Sequence, residues 1–143
     1  EGEKFTLSTS RRASPADRAF LEKEIAELWK KGIISRSKSP FYSPIVIVPK
    51  KNGSKRLCVD FRELNEITIP FRFPLPRIDD ALEGLAGSSV FGTLDRSSGF
   101  HLVPIAEEYR HLTAFRTPTG IYEYNCMPFG LMNAPAHFQL VMQ

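Results

Sequence analysis

Cysteine is nearly absent from these 143 residues: only Cys58 and Cys126 occur, far apart and without a Cys-x-x-Cys spacing. That excludes a disulfide-dense scaffold and suits two buried free thiols in a reducing compartment; a single disulfide between them is the weaker alternative. Histidine is almost as scarce. His101, His111 and His137 show no His-x-x-x-His and no cysteine partner, which favours packing or surface positions over zinc ligation. No Ser-His-Asp or nucleophile-elbow pattern, no Gly-x-Gly-x-x-Gly and no P-loop is present, leaving hydrolase and nucleotide-switch readings unsupported. No apolar run approaches the ~20 residues that span a bilayer, so no membrane partner is expected. There is no signal-peptide pattern, and the chain starts at Glu1 without a methionine, as a piece cut from something longer would.

What is present reads as one globular domain: 42% hydrophobic and 24% charged residues, enough to bury a core. The net charge of +3 is unevenly distributed. Residues 1–72 carry 15 Lys/Arg against 9 Asp/Glu, a balance of +6, and residues 73–143 carry 4 against 7, a balance of −3. A basic first half can grip a polyanion while an acidic second half holds cations, although uneven solvated charge is also common.

Residues 1–13 are polar and read as a flexible lead-in to a single unit over 14–143. Ser14-Pro15-Ala16-Asp17 starts a helix with a cap, a first-turn proline and an acidic residue; Leu21, Ile25, Leu28 and Trp29 form its stripe, and Gly32 closes it. "SPIVIVPK" and "KRLCVDF" are strands joined by "KNGS", a hairpin signal at Asn52-Gly53. "FRELNEITIPFRFPLP" is an irregular, proline-punctuated crossing. A short helix over 77–86 puts Ile78, Leu82 and Leu85 on one face. Then come a strand ending at Asp95, another near His101–Ile105, a polar turn, and a hairpin around Pro118-Thr119-Gly120. A last helix opens with Asn133 near its cap and Pro135 in its first turn. Strands and helices intermingle without βαβ alternation, which predicts an α+β fold.

Three places carry candidate chemistry. Asp95 is the only acidic residue in "VFGTLDRSSGFHLVPI", at the end of an apolar run and before a small polar turn that ends on Phe100. It is either an ordinary turn residue or a metal ligand held on a rigid strand. Lys50, Lys51, Lys55, Arg56 and Arg62 cluster on the first hairpin, either as a solvated tip that keeps the strand edge charged or as a grip on phosphates. "MPFGLMNAPAHF" is a Pro/Gly loop entering a helix, either a plain cap or a place where a flat ligand or phosphate meets exposed amides.

Taken together, "KGIISRSKSPFYSPIVIVPKKNGSKRLCVDFRELNEITIPFRFPLPRIDDAL", "FGTLDRSSGFHLVPI" and "LTAFRTPTGIYEYNCMPFGLMNAPAHFQ" resemble, in order and spacing, the reverse transcriptase of gypsy-type long-terminal-repeat retrotransposons. The likeness runs from about residue 14 to the last residue. It implies the right-hand polymerase architecture, with this chain supplying the fingers and part of the palm. It implies that Asp95, joined by the backbone carbonyl of Arg96, holds catalytic Mg²⁺. Lys50 or Lys51 and Arg56 would grasp the incoming triphosphate, Phe100 would block a ribose 2′-hydroxyl, and Phe129 and Gly130 of the "PFG" loop would lie beside nucleotide and template. The implied partners are an RNA/DNA template-primer and a dNTP, in the cytoplasm, a retroelement particle or the nucleus; apolar palm surface left exposed makes self-association a further expectation.

Some positions depart from that pattern. Arg96 stands where an apolar residue is usual, and Tyr109 and Leu112 replace the Asp and Lys of "D-x-x-K-T-A-F". The Tyr-x-Asp-Asp motif with two further metal ligands does not occur in these residues. A lone carboxylate cannot hold two ions at ~4 Å separation, so this fragment by itself is expected to be inactive. The rival reading is a non-catalytic nucleic-acid-binding or scaffold remnant of a retroelement.

Overall fold

The computed structural model describes residues 14–74, 77–92 and 99–142. The 1–13 lead-in, the expected strand end at Asp95, and Arg96 lie outside the described residues.

The first helix, α1 (Pro15–Lys30), begins as its sequence dictates. The Ser14 hydroxyl accepts a hydrogen bond from the Asp17 amide at 3.1 Å, satisfying one donor that the helix start leaves orphaned. Leu21 and Ile25 are buried on its inner face, and Trp29 stays half exposed, edge-on to Tyr122. That face rests on a three-stranded antiparallel sheet, ordered β1 (Ile34–Arg36), β5 (Gly120–Tyr124), β4 (Phe115–Thr117). Ile34 pairs with Tyr124, and Phe115 with Tyr122. These four join Ile25, Val59 and Phe61 in one buried cluster.

The second sheet is the expected hairpin, β2 (Ile45–Pro49) with β3 (Lys55–Val59). It docks on the first sheet through Ser43, whose amide donates to the Ala114 carbonyl at 2.8 Å and whose carbonyl accepts from Arg116 at 3.3 Å. Its inner face, including Ile45, Leu57 and Val59, packs on the core. The arrangement is α+β, as the intermingled signals predicted.

Several local expectations differ. The crossing is not wholly irregular: Arg62–Ile67 form a helix, α2, after Asp60, whose carboxylate accepts from the Arg62 amide at 3.2 Å. The next helix, α3, is shorter than expected, Ile78–Glu83, and Ile78, Leu82 and Leu85 are solvent-exposed. Residues near His101–Ile105 do not form a strand. Gly99–Leu102 make a 3₁₀ turn, and beyond it only Pro104 bridges to Cys126. That bridge is flanked by the Ile105 amide donating to the Asn125 carbonyl at 2.9 Å and the Met127 amide donating to the Val103 carbonyl at 2.8 Å, while Phe100 and His101 turn into aromatic contacts. The polar turn is a single helical turn, α4 (Glu107–Arg110), followed by a 3₁₀ turn over His111–Thr113. The last helix, α5, runs Ala134–Met142, but the Asn133 side chain turns away to the crossing instead of capping it. Both cysteines are free thiols and only half-buried. No helix among the described residues is long and apolar enough to cross a membrane.

Candidate nucleotide and nucleic-acid site

Strand alternation decides which hairpin cations are available. Lys55 is on the inward side of β3, and its ammonium donates to Asp17 of α1 at 2.6 Å. Arg56, one residue on, faces the other way, cross-strand from Val48. Arg62 is spent on Asp60, 2.6 Å away. Lys50, Lys51 and Arg56 are exposed, and their side chains make no ion pair or hydrogen bond among the described residues. The turn beneath them is ordered: the Lys50 amide donates to the Ser54 carbonyl at 2.7 Å, and Asn52 Oδ1 accepts from both the Ser54 amide and hydroxyl. Three exposed cations, without an ion pair among the described residues, therefore project from a hydrogen-bonded hairpin.

The Pro/Gly loop lies between β5 and α5. Pro128 is fully buried, whereas Phe129 beside it is 59% exposed. Phe129 rests on Phe100 with ring centroids 4.8 Å apart, and Phe100 also meets Phe138 of α5 edge-on at 5.3 Å. Gly99 admits this packing, since a Cβ there would stand 2.8 Å from the Phe138 ring. Gly130 follows with φ of +98°, and a Cβ on it would meet Phe61 at 3.4 Å and the Val59 carbonyl at 3.6 Å. The loop thus leans on the end of β3, the strand that carries Arg56.

Two asparagines hold this loop: Asn65, which the sequence does not mark, and Asn133, which it marks only as lying near a helix cap. The Asn65 amide group donates to the Gly130 carbonyl and accepts from the Met132 amide, both at 2.8 Å. Asn133 does the reverse, accepting from the Phe71 amide and donating to the Ile69 carbonyl, both at 2.9 Å. No local signal marks this bracing role, because the partners are 62 to 67 positions away.

Electrostatics add a neutral histidine. His101 lies between Tyr124 and Phe129, and burial, then the charge of Lys31, hold its pKa below the usual value. Burial pushes the Tyr124 phenol up, so it stays protonated. The Asp17 carboxyl is held down by its hydrogen bonds from Lys55 and Ser14, and Asp60 by Arg62.

Of the sequence-predicted residues, the structure brings Phe100, Phe129 and Gly130 together and places Lys50, Lys51 and Arg56 on one exposed ribbon. Asp95 and Arg96 lie outside the described residues. No group of three or more His, Cys, Asp or Glu that could hold a metal ion occurs among the described residues. A cavity of about 240 Å³, lined by Trp29, Arg36 and Tyr122 among others, includes none of the predicted residues.

A family model described as reverse transcriptase (RNA-dependent DNA polymerase) matches residues 48–143. The chain belongs to the reverse transcriptase family. Among curated relatives, this reverse transcriptase segment is 45% identical over 127 residues to the retrovirus-related Pol polyprotein from transposon 297 of Drosophila melanogaster, covering 85% of this chain. It spans only 12% of that polyprotein. Among solved structures, it is similar to the prototype foamy virus protease–reverse transcriptase, with a TM-score of 0.74 and 28% identity over 94% of this chain and 18% of that one. The foamy viral protease–reverse transcriptase in complex with an RNA/DNA hybrid has the same fold, with a TM-score of 0.75 at 24% identity over the same shares. The reverse transcriptase polymerase fold and a place within a retrotransposon Pol polyprotein follow from these matches.

Proposed function

We propose that this chain supplies the fingers and first part of the palm of a gypsy-type reverse transcriptase, which extends a primer on an RNA or DNA template. In this reading Lys50, Lys51 and Arg56 hold the triphosphate and nearby backbone phosphates. Cations fixed on a β-ribbon meet phosphate oxygens with little further ordering cost. Phe100 forms the floor under the sugar, and Phe129 with Gly130 borders the nucleotide and template. The observation that carries the reading is Phe129: a large aromatic, 59% exposed, braced against Phe100 on a loop whose Gly130 carbonyl and Met132 amide are both held by Asn65. Exposed aromatics on rigid supports suit stacking on bases. The RNA/DNA hybrid bound by the foamy viral relative supports a nucleic-acid partner.

Asp95 is the oxygen donor in this reading, joined by the Arg96 carbonyl, and oxygen ligands suit a hard cation such as Mg²⁺. When bound, that ion neutralises phosphate charge. Self-association through the exposed α3 face belongs to the same proposal. The test is dNTP binding, with Mg²⁺, to the chain pre-loaded with an RNA/DNA primer-template. Phe129→Ala and Asp95→Ala are each expected to weaken it about tenfold or more, the loss of one good stacking or charge contact. Equal binding by wild type and both variants refutes the reading.

A further inference from the structure

We infer that Asn65 and Asn133 are positioning residues that set the height and tilt of the Phe129–Gly130 loop for a bound nucleotide. The inference rests on the nucleotide-site reading above.

The two side chains form a reciprocal brace. Asn65 belongs to the arm that leaves β3 and reaches the loop; Asn133 belongs to the loop's end and reaches back to the arm. Each uses one donor and one acceptor, so four backbone groups of two irregular segments are satisfied. Irregular segments have no ladder to supply such partners, and an asparagine amide reproduces the donor–acceptor pair that a neighbouring strand would offer. The brace also seats Phe71 on His137, rings nearly parallel at 4.8 Å. Between the two asparagines the loop has no freedom to slide along α2. Phe129 therefore stays exposed over Phe100 instead of folding into the apolar surface nearby.

Chemistry distinguishes this from ordinary packing. Aspartate is nearly isosteric with asparagine, yet at position 65 it keeps the acceptor for Met132 and turns an oxygen toward the Gly130 carbonyl. A packing role tolerates that exchange; a positioning role does not.

The experiment uses the full chain with Asn65→Asp, Asn133→Asp and the pair, each assayed well below its own melting temperature. Amide hydrogen exchange reads the brace in a further variant, Asn65→Ala, which removes the acceptor: the Met132 amide should exchange about tenfold faster, as loss of one hydrogen bond of ordinary strength allows. Titration with dATP and Mg²⁺, with primer-template bound, reads the function: Kd should rise about tenfold, while primer-template affinity in the absence of nucleotide stays within twofold. Unchanged exchange at Met132 overturns the brace. Faster exchange with unchanged dATP affinity overturns its positioning role. A wild-type chain that binds no dATP overturns the nucleotide-site reading itself, and is told apart because the exchange effect persists.

Discussion

The ring of Phe129 rests on that of Phe100 at a centroid distance of 4.8 Å and a tilt of 48°. One ring is half-buried and the other exposed, so the pair offers a flat apolar edge to solvent while Phe138 backs it from α5. This contact makes the sugar-floor role of Phe100 testable against a packing role. In a polymerase containing this segment, Phe100→Val is expected to raise ribonucleotide insertion relative to dNTP insertion on the order of 100-fold, about 3 kcal/mol of transition-state discrimination. Removing the ring also costs its contacts with Phe129 and Phe138, so the melting temperature falls too. Single-nucleotide insertion kinetics with matched dNTP and rNTP decide: an unchanged kcat/KM ratio with lower stability makes Phe100 a packing residue only.

The hairpin prediction concerns salt. Three free cations engaging three phosphates give a log K against log salt slope of about −3 on duplex nucleic acid. Replacing Lys50, Lys51 and Arg56 together by Ala should weaken binding and bring the slope toward zero. Replacing Lys55, which is engaged with Asp17, should change the slope little. Fluorescence anisotropy at several salt concentrations checks both, and an unchanged slope in the triple variant removes the hairpin from the interface.

Acid sensitivity should trace to His101. Its folded pKa lies below the ordinary 6.5, so on acidification the unfolded chain takes up a proton before the folded one does. Stability is therefore unaffected above about pH 6.5 and falls as pH drops below it. Asp17 and Asp60 act in a lower window: their folded pKa values are depressed, so their contribution is present above 3.8 and lost as pH falls below it. Urea midpoints measured across both windows, with His101→Gln as comparison, should show the upper slope vanish in the variant while the lower one remains. A wild-type midpoint that does not change between pH 7 and pH 5 contradicts the assignment.

Exposed apolar surface supplies the last prediction. Ile78, Leu82 and Leu85 of the α3 region, with Val90 and Phe91 beyond it, are all solvent-accessible. Apolar clusters of this kind promote association. The chain should self-associate in a concentration-dependent way in sedimentation velocity, and Leu82→Glu should shift it toward monomer without lowering its melting temperature. A wild-type chain that stays monomeric at high concentration removes α3 as an association face.

Sequence alone determined the elements whose causes are local. The Ser14 cap and Pro15 start α1, the Asn52-Gly53 turn sets the first hairpin, and the Pro118-Thr119-Gly120 turn sets the second; each signal is complete within a few residues. Family resemblance carried by long matching blocks marked Phe100, Phe129 and the hairpin cations. Tertiary structure decided what depends on distant partners. β1 is three residues long and exists because β5 pairs with it. The segment near His101–Ile105 reads as a strand in the sequence, yet its start turns because the Phe100 and His101 rings find Phe129, Phe138 and Tyr124, leaving an isolated bridge at Pro104. Lys55 and Arg56 are equivalent cations in the sequence, and only the pleat makes one a tie to α1 and leaves the other free. Asn65 and Asn133 look like ordinary polar residues until folding brings irregular backbone from more than sixty positions away within 3 Å of their amides. A hydrogen bond needs its partner's position, and that position is a property of the whole fold.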